Sequence, residues 1–169
     1  MQHGVTAFKA VRGGQPALKK DGGQNIDKYV VTSKFEQDIV CNILEYRRQD
    51  VPILGFTRFD NLKKTGDIKR QILLMPTWRD WLESEEEITE SDFFIFYQSL
   101  INSERLISLL EEYDVNLKFY MHIKIAACLN EFEIKSDKVI PVTLGEEDVS
   151  TLIKESKLMI TDHSSVAWD

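Results

Sequence analysis

Arg79, His122, Thr161, Asp162, Ser164 and Ser165 are polar residues that each follow closely on a short apolar run, and the arginine, the imidazole and the hydroxyls among them are together the chemistry of a phosphate or diphosphate site. A guanidinium offers a planar fork of donors that matches phosphate oxygens, and hydroxyls at the start of a helix stand beside backbone N–H groups that favour anions. An imidazole adds a group able to hold or move a proton near neutral pH. Each has an ordinary explanation alone: a satisfied buried histidine, a surface ion pair, a pair of helix caps. No histidine and carboxylate set has metal-ligand spacing, and Asp162 by itself is weak evidence for a metal, so neither a metal nor a cofactor is expected.

What makes the six a group is the elements that carry them. Leu158-Met159-Ile160 reads as a buried strand, and Thr161-Asp162-His163-Ser164-Ser165 after it has the small hydroxyl and cap-forming side chains of a helix start. Ile72 to Met75 is a second strand, ending at Pro76-Thr77-Trp78-Arg79-Asp80, and Leu117 to Met121 is a third, with His122 at its carboxyl end. Val139 to Val142 is a fourth. Helices are expected over residues 93–110, with a break at Asn102-Ser103, over 123–132, and over 147–156, entered through Gly145. The acidic run Glu83 to Glu90 reads as a solvated loop. Alternating strands and helices predict a Rossmann-like parallel sheet with helices on both faces. Ligands in such sheets sit outside the carboxyl ends of the strands, the edge on which all six residues fall.

An earlier α/β segment precedes a boundary near Asn61. Lys28 to Thr32 reads as a strand, Ser33 with Glu36 as a capping box opening a helix over 34–46, and Val51 to Leu54 as another strand followed by a turn at Gly55 to Asp60. Residues 61–71 are polar, a short helix or a linker interrupted by Gly66. Residues 6–27 are rich in glycine and cations and read as loop, either solvated or an anion-contacting flap. His3-Gly4 at the start resembles the loop end of a βα unit lacking its strand, and Asp169 falls where a helix should begin. The chain therefore reads as a piece of a longer protein. Its apolar last strand is expected to leave an uncovered edge, making the piece marginally stable or prone to associate.

Composition narrows the classes. Hydrophobic residues at 43% and charged residues at 29% are globular values, while a net charge of -7 and a pI near 5.1 argue against a nucleic-acid partner. Cys41 and Cys128 have neither CxxC nor Cys/His spacing, which favours a reducing, cytoplasmic setting. No apolar run approaches the roughly 18 residues that span a bilayer.

Gln2-His3-Gly4-Val5, the run SKFEQDIV with GFTRFDNL after it, Pro76-Thr77-Trp78-Arg79-Asp80, Tyr120-Met121-His122 and ITDHSSVAWD together resemble the CDP-glycerol glycerophosphotransferases, the teichoic acid polymerases and primases of Gram-positive cell walls. The resemblance covers nearly the whole chain in the right order. It departs at His122-Ile123, where the family usually has His-Pro, and at Asp162-His163-Ser164-Ser165, where it usually has Asp-Tyr-Ser-Ser.

The resemblance implies a partial GT-B architecture: residues 1–60 as the C-terminal part of an acceptor-side Rossmann-like domain, and 61–169 as an incomplete donor-binding one. It implies transfer of glycerol phosphate, or a related polyol phosphate, from CDP-glycerol or a similar CDP-polyol to a hydroxyl of a lipid-linked acceptor, with CMP released. His3 and His122 would be the catalytic residues, and Arg79, Thr161, Asp162, Ser164 and Ser165 would bind the donor's phosphates or nucleotide. The parent protein would be cytoplasmic, or peripheral on the inner face of the cell membrane. Two other classes fit the same residues: a GT-B glycosyltransferase using a nucleotide-sugar, and an inactive remnant that only binds.

Overall fold

The computed structural model describes residues 27–62, 67–77, 79, 81–82, 84–121, 128, 130–143 and 145–168. The chain separates into two compact units, Met1–Lys64 with Ser165–Asp169, and Thr65–Ser164.

In the first unit, helix α1 (Lys34–Ile43) starts where Ser33 accepts the Glu36 N–H on its hydroxyl at 3.1 Å. The reciprocal half of the expected capping box goes elsewhere: the Glu36 carboxylate takes the Thr32 N–H at 2.7 Å and the Thr32 hydroxyl at 2.9 Å. The helix ends earlier than the apolar pattern suggests, because Glu45 turns into the left-handed region at φ 58°. Neither expected strand forms: the two segments meet at one isolated parallel bridge, Val31 to Ile53, with the Tyr29 and Val31 amides donating to Asp50 O and Pro52 O at 2.8 and 3.1 Å. Val31, Val40, Leu44, Tyr46 and Val51 form the small core between them and α1. The turn predicted over Gly55 to Asp60 is replaced from Arg58 by a short helix α2 (Arg58–Leu62).

The second unit is an all-parallel four-stranded sheet in the order β3-β2-β1-β4, formed by β1 (Gln71–Leu74), β2 (Asn116–Tyr120), β3 (Val139–Val142) and β4 (Leu158–Ile160). Each lies within a residue of its expected place. Helices α4 (Asp92–Ile101) and α5 (Glu104–Glu112) are separated as predicted, since Ser103 caps the second by accepting the Leu106 N–H. The acidic run is not all loop. Ser84 and Glu87 make a complete capping box that starts helix α3 (Glu85–Thr89), and carboxylates in a first turn interact favourably with the helix dipole. Most of the helix expected over 123–132 lies outside the described residues.

The connections explain the layering. Right-handed crossovers place a helix on one face when the chain moves one way along the sheet and on the other when it moves back. The path from β1 through β2 to β3 runs one way; the return to β4, through α6 (Val149–Glu155), runs the other. Leu74, Leu117, Phe119 and Val139 therefore pack with Phe93, Tyr97, Ile101 and Leu110 on one face, while α6 lies against β1. Among the described residues β4 is an outer strand, and it is not buried as its apolar run suggests: Leu158 and Ile160 are 53% and 39% exposed.

Candidate functional site

The strand order reverses between β1 and β4, and the loops leaving their carboxyl ends meet there. Backbone pairing continues past the strands, with the Met75 N–H donating to Ile160 O at 2.9 Å. The Thr161 hydroxyl then donates to Met75 O at 2.6 Å. Its proton is thus committed to joining the two loops.

One residue further on, the Asp162 carboxylate gathers the polar groups of the edge. Oδ1 accepts the Thr77 N–H at 2.9 Å and the His163 N–H at 2.6 Å. Oδ2 accepts the Arg79 guanidinium at 2.6 Å and the Tyr97 hydroxyl at 3.3 Å. Arg79 also donates to Thr77 O at 2.8 Å and stands over the Phe93 ring, 5.0 Å from its centroid. This is the ion pair that arginine's ordinary reading anticipated, but between side chains only 17% and 19% exposed and 83 residues apart in sequence.

The electrostatics follow from these contacts. Burial pushes the Asp162 carboxyl up, yet hydrogen bonds from Thr77, Arg79 and the His163 amide outweigh it and hold the group well below the usual carboxylate range. Tyr97 is raised to about 12, first by burial and then by the Asp162 charge, so it stays a neutral donor at any physiological pH. Beside the pair lies a cavity of about 510 Å³, walled by Trp81, Phe93, Phe96 and Tyr97 and rimmed by Ser91 and Asp92. A fixed guanidinium next to an open space, at the end of two parallel strands, can receive an anionic group.

Of the residues expected from sequence, Arg79, Thr161 and Asp162 come together at this junction. Ser164 follows two positions on, and Ser165 opens a single 3-10 turn, Ser165–Trp168, that groups with the first unit. His3 and His122 lie outside the described residues. Sequence reasoning missed Thr77 and Tyr97. The first acts through its backbone, which leaves no trace in residue type; the second sits in the apolar face of α4, where an aromatic reads as core.

A parallel sheet ordered β3-β2-β1-β4, with a polar junction at its point of reversal, defines an open α/β domain of the doubly wound type. The chain belongs to the CDP-glycerol:poly(glycerophosphate) glycerophosphotransferase family, whose sequence model matches residues 2–169. It is 32% identical over 181 aligned residues to the minor teichoic acid biosynthesis protein GgaB of Bacillus subtilis (strain 168), covering 100% of this chain and 19% of that protein. Among solved structures it resembles the wall teichoic acid polymerase TagF, with a TM-score of 0.58 and 20% identity over 98% of this chain and 45% of that one. A TagF variant soaked with CDPG gives a TM-score of 0.53 at 18% identity, over 98% and 44% of the respective chains. At these identities the structural likeness speaks for the fold. The chain spans under half the length of each of these relatives.

Proposed function

We propose that this chain carries the donor side of a transferase that moves glycerol phosphate, or a related polyol phosphate, from a CDP-linked donor to a hydroxyl of a lipid-linked teichoic acid acceptor. Family membership supports the reaction class. The observation that carries the assignment to this edge is the Arg79–Asp162 pair beside its cavity at the β1/β4 reversal.

In the reaction, the acceptor oxygen attacks the phosphorus that bears the glycerol. A new P–O bond forms, the bond to the cytidine phosphate breaks, and CMP leaves with the electron pair. Two things are needed: a base for the hydroxyl proton and neutralisation of the charge that develops on the departing cytidine monophosphate. His3 takes the first role and His122 assists at the phosphates. Arg79, Thr161, Asp162, Ser164 and Ser165 bind or orient the donor, Asp162 by aligning its neighbours. Residues 1–60 then belong to the acceptor side and 61–169 to the donor side of a GT-B enzyme. No helix among the described residues is long and apolar enough to cross a membrane. The proposed setting is cytoplasmic, peripheral to the inner membrane face, where a lipid-linked acceptor would be met.

Calorimetric titration of the chain with CDP-glycerol, CDP-ribitol and a UDP-sugar tests the reading. Saturable binding of a CDP-polyol is expected, weakened about tenfold or more by Arg79→Gln, the usual consequence of losing a charge-assisted hydrogen bond. Preference for the UDP-sugar would redirect the assignment to a nucleotide-sugar glycosyltransferase. Absence of binding by all three ligands to the folded chain would refute it.

A further inference from the structure

We propose that Tyr97 is a positioning residue for the donor, its hydroxyl fixing the Asp162 carboxylate and thereby the Arg79 guanidinium and the Thr77 amide that share that carboxylate. The proposal rests on the donor reading above and adds to it a residue on a different element.

The geometry supplies the reason. Asp162 and Arg79 both stand on loops, and an ion pair between partly solvated side chains on loops sets its own geometry weakly. Tyr97 is different in kind. It is 6% exposed, on helix α4 one turn after Phe93, with ring centroids 4.9 Å from Phe93 and 6.3 Å from Phe119 of β2. Those contacts tie its position to the core of the sheet, so its hydroxyl is a fixed point to which a carboxylate carried on a loop can be referred. The hydroxyl meets Oδ2, the same oxygen that receives Arg79, while Oδ1 holds the Thr77 and His163 amides. Asp162 is thus referred to three elements at once: the loop after β1, its own loop after β4, and α4.

A buried tyrosine also seeks a hydrogen-bond partner merely to satisfy its own hydroxyl. Tyr97→Phe distinguishes the two roles, because it keeps the ring and its packing and removes only the donor. Two readouts are taken on the whole chain: affinity for CDP-glycerol by calorimetry, and hydrogen exchange of the Thr77 amide without ligand. A positioning role predicts affinity about threefold to tenfold weaker. It also predicts faster exchange at Thr77 with no change at the Phe119 amide in β2. In the Asp162→Asn background, Tyr97→Phe should have little further effect on either readout, since residues acting through one another are non-additive.

Full additivity of the two substitutions would overturn the proposal, as would unchanged affinity and unchanged Thr77 exchange in Tyr97→Phe. Tighter CDP-glycerol binding by Asp162→Asn would overturn it too, by making the aspartate a competitor of the ligand. If the unsubstituted chain binds no CDP-glycerol, the donor reading fails on its own evidence; exchange at Thr77 then still decides whether Tyr97 orders the junction.

Discussion

Each unit contains an aspartate whose side chain is sheltered and bound by more than one donor, and the contrast between the two separates a structural knot from a candidate site. In the first unit Asp50 receives Lys28 at 2.9 Å and Arg47 at 2.7 Å, while those cations keep 58% and 70% of their side-chain surface in water. In the second, Asp162 holds an arginine that is itself largely sheltered, over an aromatic ring and beside a cavity. Both carboxyls titrate below their ordinary range: Asp50 through hydrogen bonds from Lys28 and Arg47, and Asp162 through those from Thr77 and Arg79, which overcome its burial. Depressed acidity alone therefore does not mark a functional site. What differs is the shelter of the partner cation, which lines a cavity in the second unit and faces open water in the first, and the position at a sheet reversal.

The largest expected effect tests whether the sheet is the frame that holds the Asp162 junction. Phe119 is 0% exposed and touches both Tyr97 and Phe132, so Phe119→Ala should cost about 3–5 kcal/mol in urea denaturation and abolish ligand binding with it. A loss under about 1 kcal/mol would mean that the core does not organise this edge.

Next in size is the direct test of the contrast. Arg79→Gln leaves a carboxylate without its counter-ion; a fully buried pair broken in this way costs about 3–5 kcal/mol, and solvent access at this pair brings the expectation nearer to 1–2 kcal/mol. Arg47→Gln should lower the melting temperature slightly and leave CDP-glycerol affinity unchanged. Equal loss of affinity in both variants would erase the distinction between the two junctions. The pH dependence has a fixed sign: a carboxyl whose folded pKa lies below its unfolded value of about 3.9 contributes stability above that pH and loses it as the pH falls further. The stability advantage of the unsubstituted chain over Asp162→Asn, followed by urea denaturation, should accordingly be full near neutrality and shrink below about pH 4.

The smallest effect concerns the acidic run. Ser84→Ala removes the side chain that accepts the Glu87 N–H at 3.2 Å, and should cost about 0.5–1 kcal/mol without altering affinity. A change in affinity would show that α3 shapes the cavity wall.

The same residues show what a sequence can disclose. β1 to β4 were legible because apolar and β-branched runs bounded by polar residues have few other uses, and Ser103 marked the break between α4 and α5 as a cap should. The helix at Glu85 was hidden by its charge, although Ser84 and Glu87 spell the same cap signature that located α1. At the site, residue type disclosed Arg79 and Asp162 as candidates but not as partners, since a pairing across 83 residues is set by strand order and not by local pattern. Tyr97 was illegible for a related reason: its ring belongs to the core and only its hydroxyl to the site.

The most direct test of the account is a nitrogen–proton correlation spectrum of the chain titrated with CDP-glycerol. Saturable shifts are expected at the Thr77, His163 and Ser164 amides and at the Arg79 side-chain Nε, with Val31, Tyr46 and Val51 unmoved. Saturable shifts confined to the first unit, or a spectrum of the folded chain indifferent to the ligand, would contradict it.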